Sequence, residues 1–161
     1  MILVSACLLG HKVKYNGRDD NTQELLLQYN ERGHFLAVCP ECFAMLPVPR
    51  PKMEIQQGTG RQVIAGRAKV ADINGMDTTA YMLTGADKVL KIAEAYHAKV
   101  AILKEGSPSC GVHRIYDGHF NGTKVRGSGV SAALLQKHGI TVYSEQDLTP
   151  ELLDQLLAED A

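Results

Sequence analysis

Lys99 to Lys104 (KVAILK) runs directly into Gly106, Ser107, Pro108, Ser109 and Cys110 (GSPSC). The apolar run Val100–Leu103 is short, carries no helical spacing and stops at turn-forming residues, so it reads as a buried strand delivering a cysteine at its carboxyl end. The same grammar appears twice more. Ile2 to Ala6 is an apolar run ending at Cys7 and Gly10, and Phe35 to Val38 ends at Cys39 and Pro40. Ile140 to Tyr143 is a fourth apolar run. Helical patterns lie between the strands. Leu25, Leu26 and Tyr29 sit between candidate caps Asn21 and Thr22 and a stop at Gly33. Met82, Ala86, Val89, Leu90, Ala93 and Tyr96 keep one face of a longer helix, about 77–97, apolar. Val130 to His138 ends at Gly139, and Thr149-Pro150 opens a last helix with Leu152, Leu153, Leu156 and Leu157 on its apolar face. Strands alternating with helices predict an α/β fold: one domain over 1–161, a mostly parallel sheet flanked by helices, with a small β-ribbon excursion. Val63-Ile64 and Lys69–Ala71, separated by Gly66, are expected to form that ribbon. Pro47, Pro49 and Pro51 exclude regular structure between the second strand and the ribbon.

Composition sets the limits. The chain has 161 residues, of which 45% are hydrophobic, enough to close one core without covalent staples. Its net charge is −1, so no global field draws it to nucleic acid or membrane, although a local basic patch is compatible with that value. The N-terminus MILVSACLLG lacks a basic leader, and no apolar run approaches the ~20 residues of a membrane span. A cytoplasmic protein is expected, with no membrane partner and no stable nucleic-acid binding. Thiols stay reduced in that compartment, so the four cysteines read as metal ligands or redox thiols.

In open α/β sheets ligands bind beyond the carboxyl ends of the strands. Cys7, Cys39 and Cys110 each follow a strand, so three loops can bring three thiolates to one edge. Thiolates suit soft metals and iron–sulfur clusters. Other readings stay open from the residues alone. Cys39-Pro40-Glu41-Cys42 is a CxxC and is compatible with a thiol oxidoreductase, although Pro47 and Pro49 leave little room for the helix that such a motif usually opens. A metal-binding or redox-sensing regulatory module is a further alternative. A four-cysteine zinc site normally shows two CxxC pairs, and one is present. Cys42 also reads as a buried small hydrophobe.

The motifs taken together resemble a known family. They are Ser5-Ala6-Cys7-Leu8-Leu9-Gly10, Tyr15-Asn16-Gly17, Val38-Cys39-Pro40-Glu41, Pro49-Arg50-Pro51, Ile102-Leu103-Lys104-Glu105, Ser107-Pro108-Ser109-Cys110-Gly111, Ile115-Tyr116-Asp117-Gly118 and Gly127-Ser128-Gly129-Val130. This set, spanning about residues 1–145, resembles the thiouracil desulfidases. The resemblance implies a 4Fe–4S cluster on Cys7, Cys39 and Cys110, with one iron lacking a protein ligand. It implies non-redox desulfuration of a thiolated pyrimidine base or nucleotide, with Glu41 as acid–base carboxylate and Ser107 as essential serine. Cys42-Phe43-Ala44-Met45 departs from the small residues common there, and Cys42 lies outside the family pattern. Arg50, Lys104 and His113, in or near the motif loops, are candidates for holding the substrate, and Lys12, Lys14 and Arg114 could join them at a phosphate. Arg61, Arg67 and Lys69 read as phosphate contacts or as solvated charges. A monomer or homodimer is expected.

Overall fold

The computed structural model describes residues 1–160. Its strands are β1 (Ile2–Ser5), β2 (Phe35–Val38), β3 (Met53–Gln56), β4 (Lys69–Asp72), β5 (Val100–Leu103), β6 (Arg114–Tyr116), β7 (Lys124–Arg126) and β8 (Thr141–Ser144). Its helices are α1 (Glu24–Asn30), α2 (Pro40–Phe43), α3 (Gly60–Ile64), α4 (Thr79–Ala95), α5 (Val130–Lys137) and α6 (Pro150–Asp160). The main sheet has four strands in the order β2-β1-β5-β8, and every pairing in it is parallel. The β3–β4 and β6–β7 pairs are separate antiparallel ribbons.

Alternation along the strands builds two apolar layers. Leu3, Ala101 and Leu103 pack with Val89, Leu90, Ala93 of α4 and Ala132, Leu135 of α5 on one face. Ile2, Val4 and Ile102 pack with Leu26 and Tyr29 of α1 and Leu153, Leu156 and Leu157 of α6 on the other. A third cluster, with Ile55, Val63, Val70, Met82 and Ile115, joins the β3–β4 ribbon to α3 and α4. Among the described residues no helix is long and apolar enough to cross a membrane.

Two local expectations are corrected. Val63-Ile64 is not a strand but part of α3, and Lys69–Asp72 pairs instead with Met53–Gln56. The reason is local capping. Gln62 Oε1 accepts the Thr59 N–H at 2.7 Å, and Gly66 takes a left-handed φ of 77° that ends the turn. The CxxC also does open a helix, the single turn α2, with Cys39 at its N-cap and Pro40 in its first turn, where a missing N–H costs nothing. The helix ends at Phe43, and Met45 just beyond it takes a left-handed φ of 68° ahead of the prolines.

Candidate active site

The carboxyl ends of β1, β2 and β5 face one cavity of about 340 Å³. Cys7, Cys39 and Cys110 line it, together with Glu41, Arg50, Lys104 and Ser107. Each cysteine is set by a short turn after its strand. Ala6–Leu9 forms a 3-10 turn closed by Gly10 at φ 89°, which carries Cys7. Cys39 leaves β2 in an extended conformation and caps α2. Cys110 ends the 107–110 turn, in which Ser107 Oγ accepts the N–H groups of Ser109 and Cys110, each at 3.1 Å.

Burial pushes all three thiols up. Cys110 reaches about 12, with contacts to Ser5 and Ser109 offsetting part of the burial and Cys7 adding to it. Cys39 rises by burial and by its thiol neighbours Cys110 and Cys42, and Cys7 rises by burial against a partly offsetting Asn21 contact. A thiol so placed keeps its proton until a cation replaces it. Among the described residues, no three His, Cys, Asp or Glu side chains group tightly enough for a single metal ion. Three thiols lining one cavity form an all-sulfur donor set, which suits iron–sulfur chemistry. The residues present therefore fit a cluster.

Beside the thiols lies a polar chain. Glu41, 9% exposed, accepts Arg50 Nε at 2.7 Å on Oε2, and Arg50 Nη2 stands 2.6 Å from the same oxygen. Arg50 Nη2 also donates to the Val13 carbonyl and Nη1 to that of Pro47. Ser109 Oγ donates to Glu41 Oε1 at 3.2 Å and lies 3.0 Å from Ser107 Oγ. An unbroken line of hydrogen bonds thus joins Ser107, Ser109, Glu41 and Arg50.

A second carboxylate builds the loop itself. Glu105, 4% exposed, accepts on Oε1 the backbone N–H groups of Gly106, Val112, His113 and Arg114 at 2.8–3.3 Å. Burial alone would raise its pKa, but these donors outweigh it and hold the carboxyl below its ordinary value. Tyr15, Met53, Tyr116 and Phe120 add apolar and aromatic surface to the cavity lining. Glu54 fixes the loop bearing Phe120 by accepting the Gly118 and Phe120 N–H groups at 2.9 and 3.2 Å.

The candidate residues thus divide. Cys7, Cys39, Cys110, Glu41, Ser107, Arg50 and Lys104 come together at the cavity. Arg50 is engaged by Glu41, and Lys104 Nζ by Glu145 Oε2 at 3.0 Å and the Glu105 carbonyl at 3.0 Å. His113 faces a different groove and pairs with Asp147 at 2.9 Å. Cys42 is not among the cavity-lining residues. The sequence reading missed the roles of Ser109, Glu105 and Glu54. Nothing in SPSCG distinguishes the serine that caps the turn from the one that meets Glu41, and a lone glutamate before a glycine carries no local signal.

Comparison with known proteins bears on this site. The family model for 2-thiouracil desulfurase matches residues 2–147. Uncharacterized protein YbbK of Bacillus subtilis (strain 168) is 43% identical over 148 residues, which is 92% of this chain and 97% of that protein. A solved structure described as the 4Fe–4S-dependent thiouracil desulfidase TudS superposes with a TM-score of 0.84 at 42% identity, covering 98% of this chain and 97% of the other.

Proposed function

We infer the function from one premise: the chain belongs to the 2-thiouracil desulfurase family. It is an enzyme that removes sulfur from a thiolated uracil, exchanging C=S for C=O at the cost of one water and releasing sulfide, with no net electron transfer. Cys7, Cys39 and Cys110 would hold a 4Fe–4S cluster, and three protein thiolates would leave one of its four irons without a protein ligand. When bound, that cluster supplies a soft Lewis acid for the thiocarbonyl sulfur and eases its departure.

The chain's own residues handle the ring, the water and the protons. Tyr15, Tyr116 and Phe120 offer a flat pyrimidine an apolar wall. Glu41 takes the proton of the water that adds to the thiocarbonyl carbon. Arg50 fixes one carboxylate oxygen, so that Oε1 is the one turned to Ser109 and the reaction. Ser107 Oγ accepts two backbone N–H groups, which leaves its own proton free to be donated. That proton goes to Ser109 Oγ, whose own proton goes to Glu41 Oε1, so both hydroxyls donate toward the carboxylate that takes the proton of the water. Lys104, held by Glu145 at the cavity edge, orients a polar substituent of the substrate. The observation that carries this reading is the Ser107–Ser109–Glu41 chain lining the same cavity as the three thiols.

The test is sulfide release from 2-thiouracil, 4-thiouracil and 4-thio-UMP by anaerobically reconstituted protein without a reductant. Cys7→Ser, Cys39→Ser and Cys110→Ser should each lose iron, whereas Cys42→Ser should keep it. Glu41→Gln should keep the cluster absorbance and lose activity by about 100-fold or more. A fully loaded protein that leaves every thiopyrimidine intact would refute the function, and a fully active Glu41→Gln would refute the assigned base. Loss of sulfide release in Cys42→Ser with its iron retained would point instead to thiol chemistry at Cys39 and Cys42.

A further inference from the structure

The β6–β7 ribbon carries a cluster of charge that the desulfuration chemistry does not use. Arg114 and Arg126 are directly opposed across it. Like charges facing each other across a strand pair destabilise the sheet, so their presence asks for a counter-charge. Arg61 of α3 lines the same groove, of about 660 Å³, together with Thr59, Ser128 and Gln136. All three arginines are exposed. Arg32 and Arg50 are ion-paired elsewhere, but no ion pair among the described residues involves Arg61, Arg114 or Arg126. Asp147, across from His113 at the edge of the groove, is engaged by that imidazole and by the Ser144 N–H. Three free guanidiniums on one groove are a local feature here, because the whole chain has a net charge of −1.

The ribbon also connects this groove to the active site. Residues two apart on a strand share a face, so Arg114 and Tyr116 lie on one side with their partners Arg126 and Lys124. Tyr116 lines the catalytic cavity, and Lys124 Nζ stands 5.3 Å from its ring centre. One face therefore runs from an arginine pair to a lysine–tyrosine pair at the mouth of the cavity. Guanidinium forks match the paired oxygens of phosphate, and the hydroxyls and amide of Thr59, Ser128 and Gln136 supply neutral donors beside them.

We propose that the groove between Arg61, Arg114 and Arg126 is a binding site for linked phosphates, distinct from the desulfuration cavity. Two sources share that chemistry: a free polyphosphate chain, and the successive phosphodiesters of an RNA strand.

Cluster-loaded protein is titrated with sodium tripolyphosphate by calorimetry and with a fluorescent, thiol-free oligouridylate by anisotropy, each at low and high NaCl. Neither probe carries a thiocarbonyl, so the result stands apart from the proposed reaction. The expected result is saturable binding of at least one probe, weakening roughly tenfold or more with added salt. Arg114→Gln/Arg126→Gln should weaken it by about tenfold or more without lowering the melting temperature, since the opposed charges are removed, and Arg61→Gln, on a separate element, should weaken it too. Tripolyphosphate binding alone identifies a free polyphosphate as the ligand, and tighter oligouridylate binding identifies an RNA backbone. Should the double variant fail to fold, Arg61→Gln alone decides. Binding of neither probe, or binding unchanged in the folded variants, overturns the site.

Discussion

Arg50 grips Glu41 through a single carboxylate oxygen, with Nε at 2.7 Å and Nη2 at 2.6 Å from Oε2, and so leaves Oε1 to Ser109. Both side chains are buried. Arg50→Met should therefore destabilise the fold by about 3 kcal/mol, because it strands a buried carboxylate. Arg50→Lys keeps the charge but not the two-pronged hold, and should retain more stability than activity. Thermal melts paired with sulfide-release rates check both, and an Arg50→Met protein that melts like the parent would remove the pair from the account.

The two serines of the 107–110 turn should separate cleanly. Ser107→Ala leaves the N–H groups of Ser109 and Cys110 without their acceptor, and should cost about 1–3 kcal/mol and lower iron content through a loosened Cys110. Ser109→Ala removes one donor to Glu41 and should cost about 1 kcal/mol, keep its iron and lose activity. Iron per chain is the discriminating measurement, and equal iron in both variants would contradict the division of labour.

Gly85 of α4 tests how closely the helix beneath α2 sets the site. A Cβ built there would fall on the Pro40 carbonyl, between Cys39 and Glu41. On an exposed helix, Gly→Ala gains up to about 1 kcal/mol. Here Gly85→Ala should instead cost about 1–3 kcal/mol, and should lower cluster retention because α2 must shift. A stabilised Gly85→Ala with full iron would show that α2 yields without consequence.

The His113–Asp147 pair gives a pH signature at the second groove. The Asp147 carboxylate holds His113 above its ordinary 6.5, against a smaller effect of burial. Burial would raise Asp147, but the Ser144 N–H and His113 outweigh it and hold the carboxyl below its ordinary 3.8. A raised histidine contributes fully below its unfolded pKa and fades as pH climbs through the folded one. A lowered aspartate contributes fully above its unfolded pKa and fades as pH falls through the folded one. The pair therefore stabilises most between the two ordinary values. The melting-temperature loss in His113→Gln should be small, since the imidazole is exposed, and greatest at about pH 5, shrinking toward about pH 9. An equal loss at both pH values would point to packing in place of charge.

Local pattern was enough for the architecture. Val100–Leu103, Ile2–Ser5 and Phe35–Val38 are buried strands because short apolar runs bounded by turn residues have few other ways to be buried, and cysteines placed just after them must come to one edge of a parallel sheet. The same residues place three cysteines at one cavity. Capping chemistry decided one element against that pattern: Val63-Ile64 has strand-forming side chains, yet the Gln62–Thr59 contact and Gly66 close it into a helical turn. What only the tertiary structure decided are the pairings between distant polar groups. Arg50 meets Glu41, Ser109 and not Ser107 touches that carboxylate, Glu105 gathers four loop N–H groups, and Arg114 lies opposite Arg126. The physical reason is that burying apolar surface depends on a period readable in a few adjacent residues. A hydrogen bond or a strand register depends on which of many equivalent donors arrives within about 3 Å, and that is fixed only when the whole chain has closed.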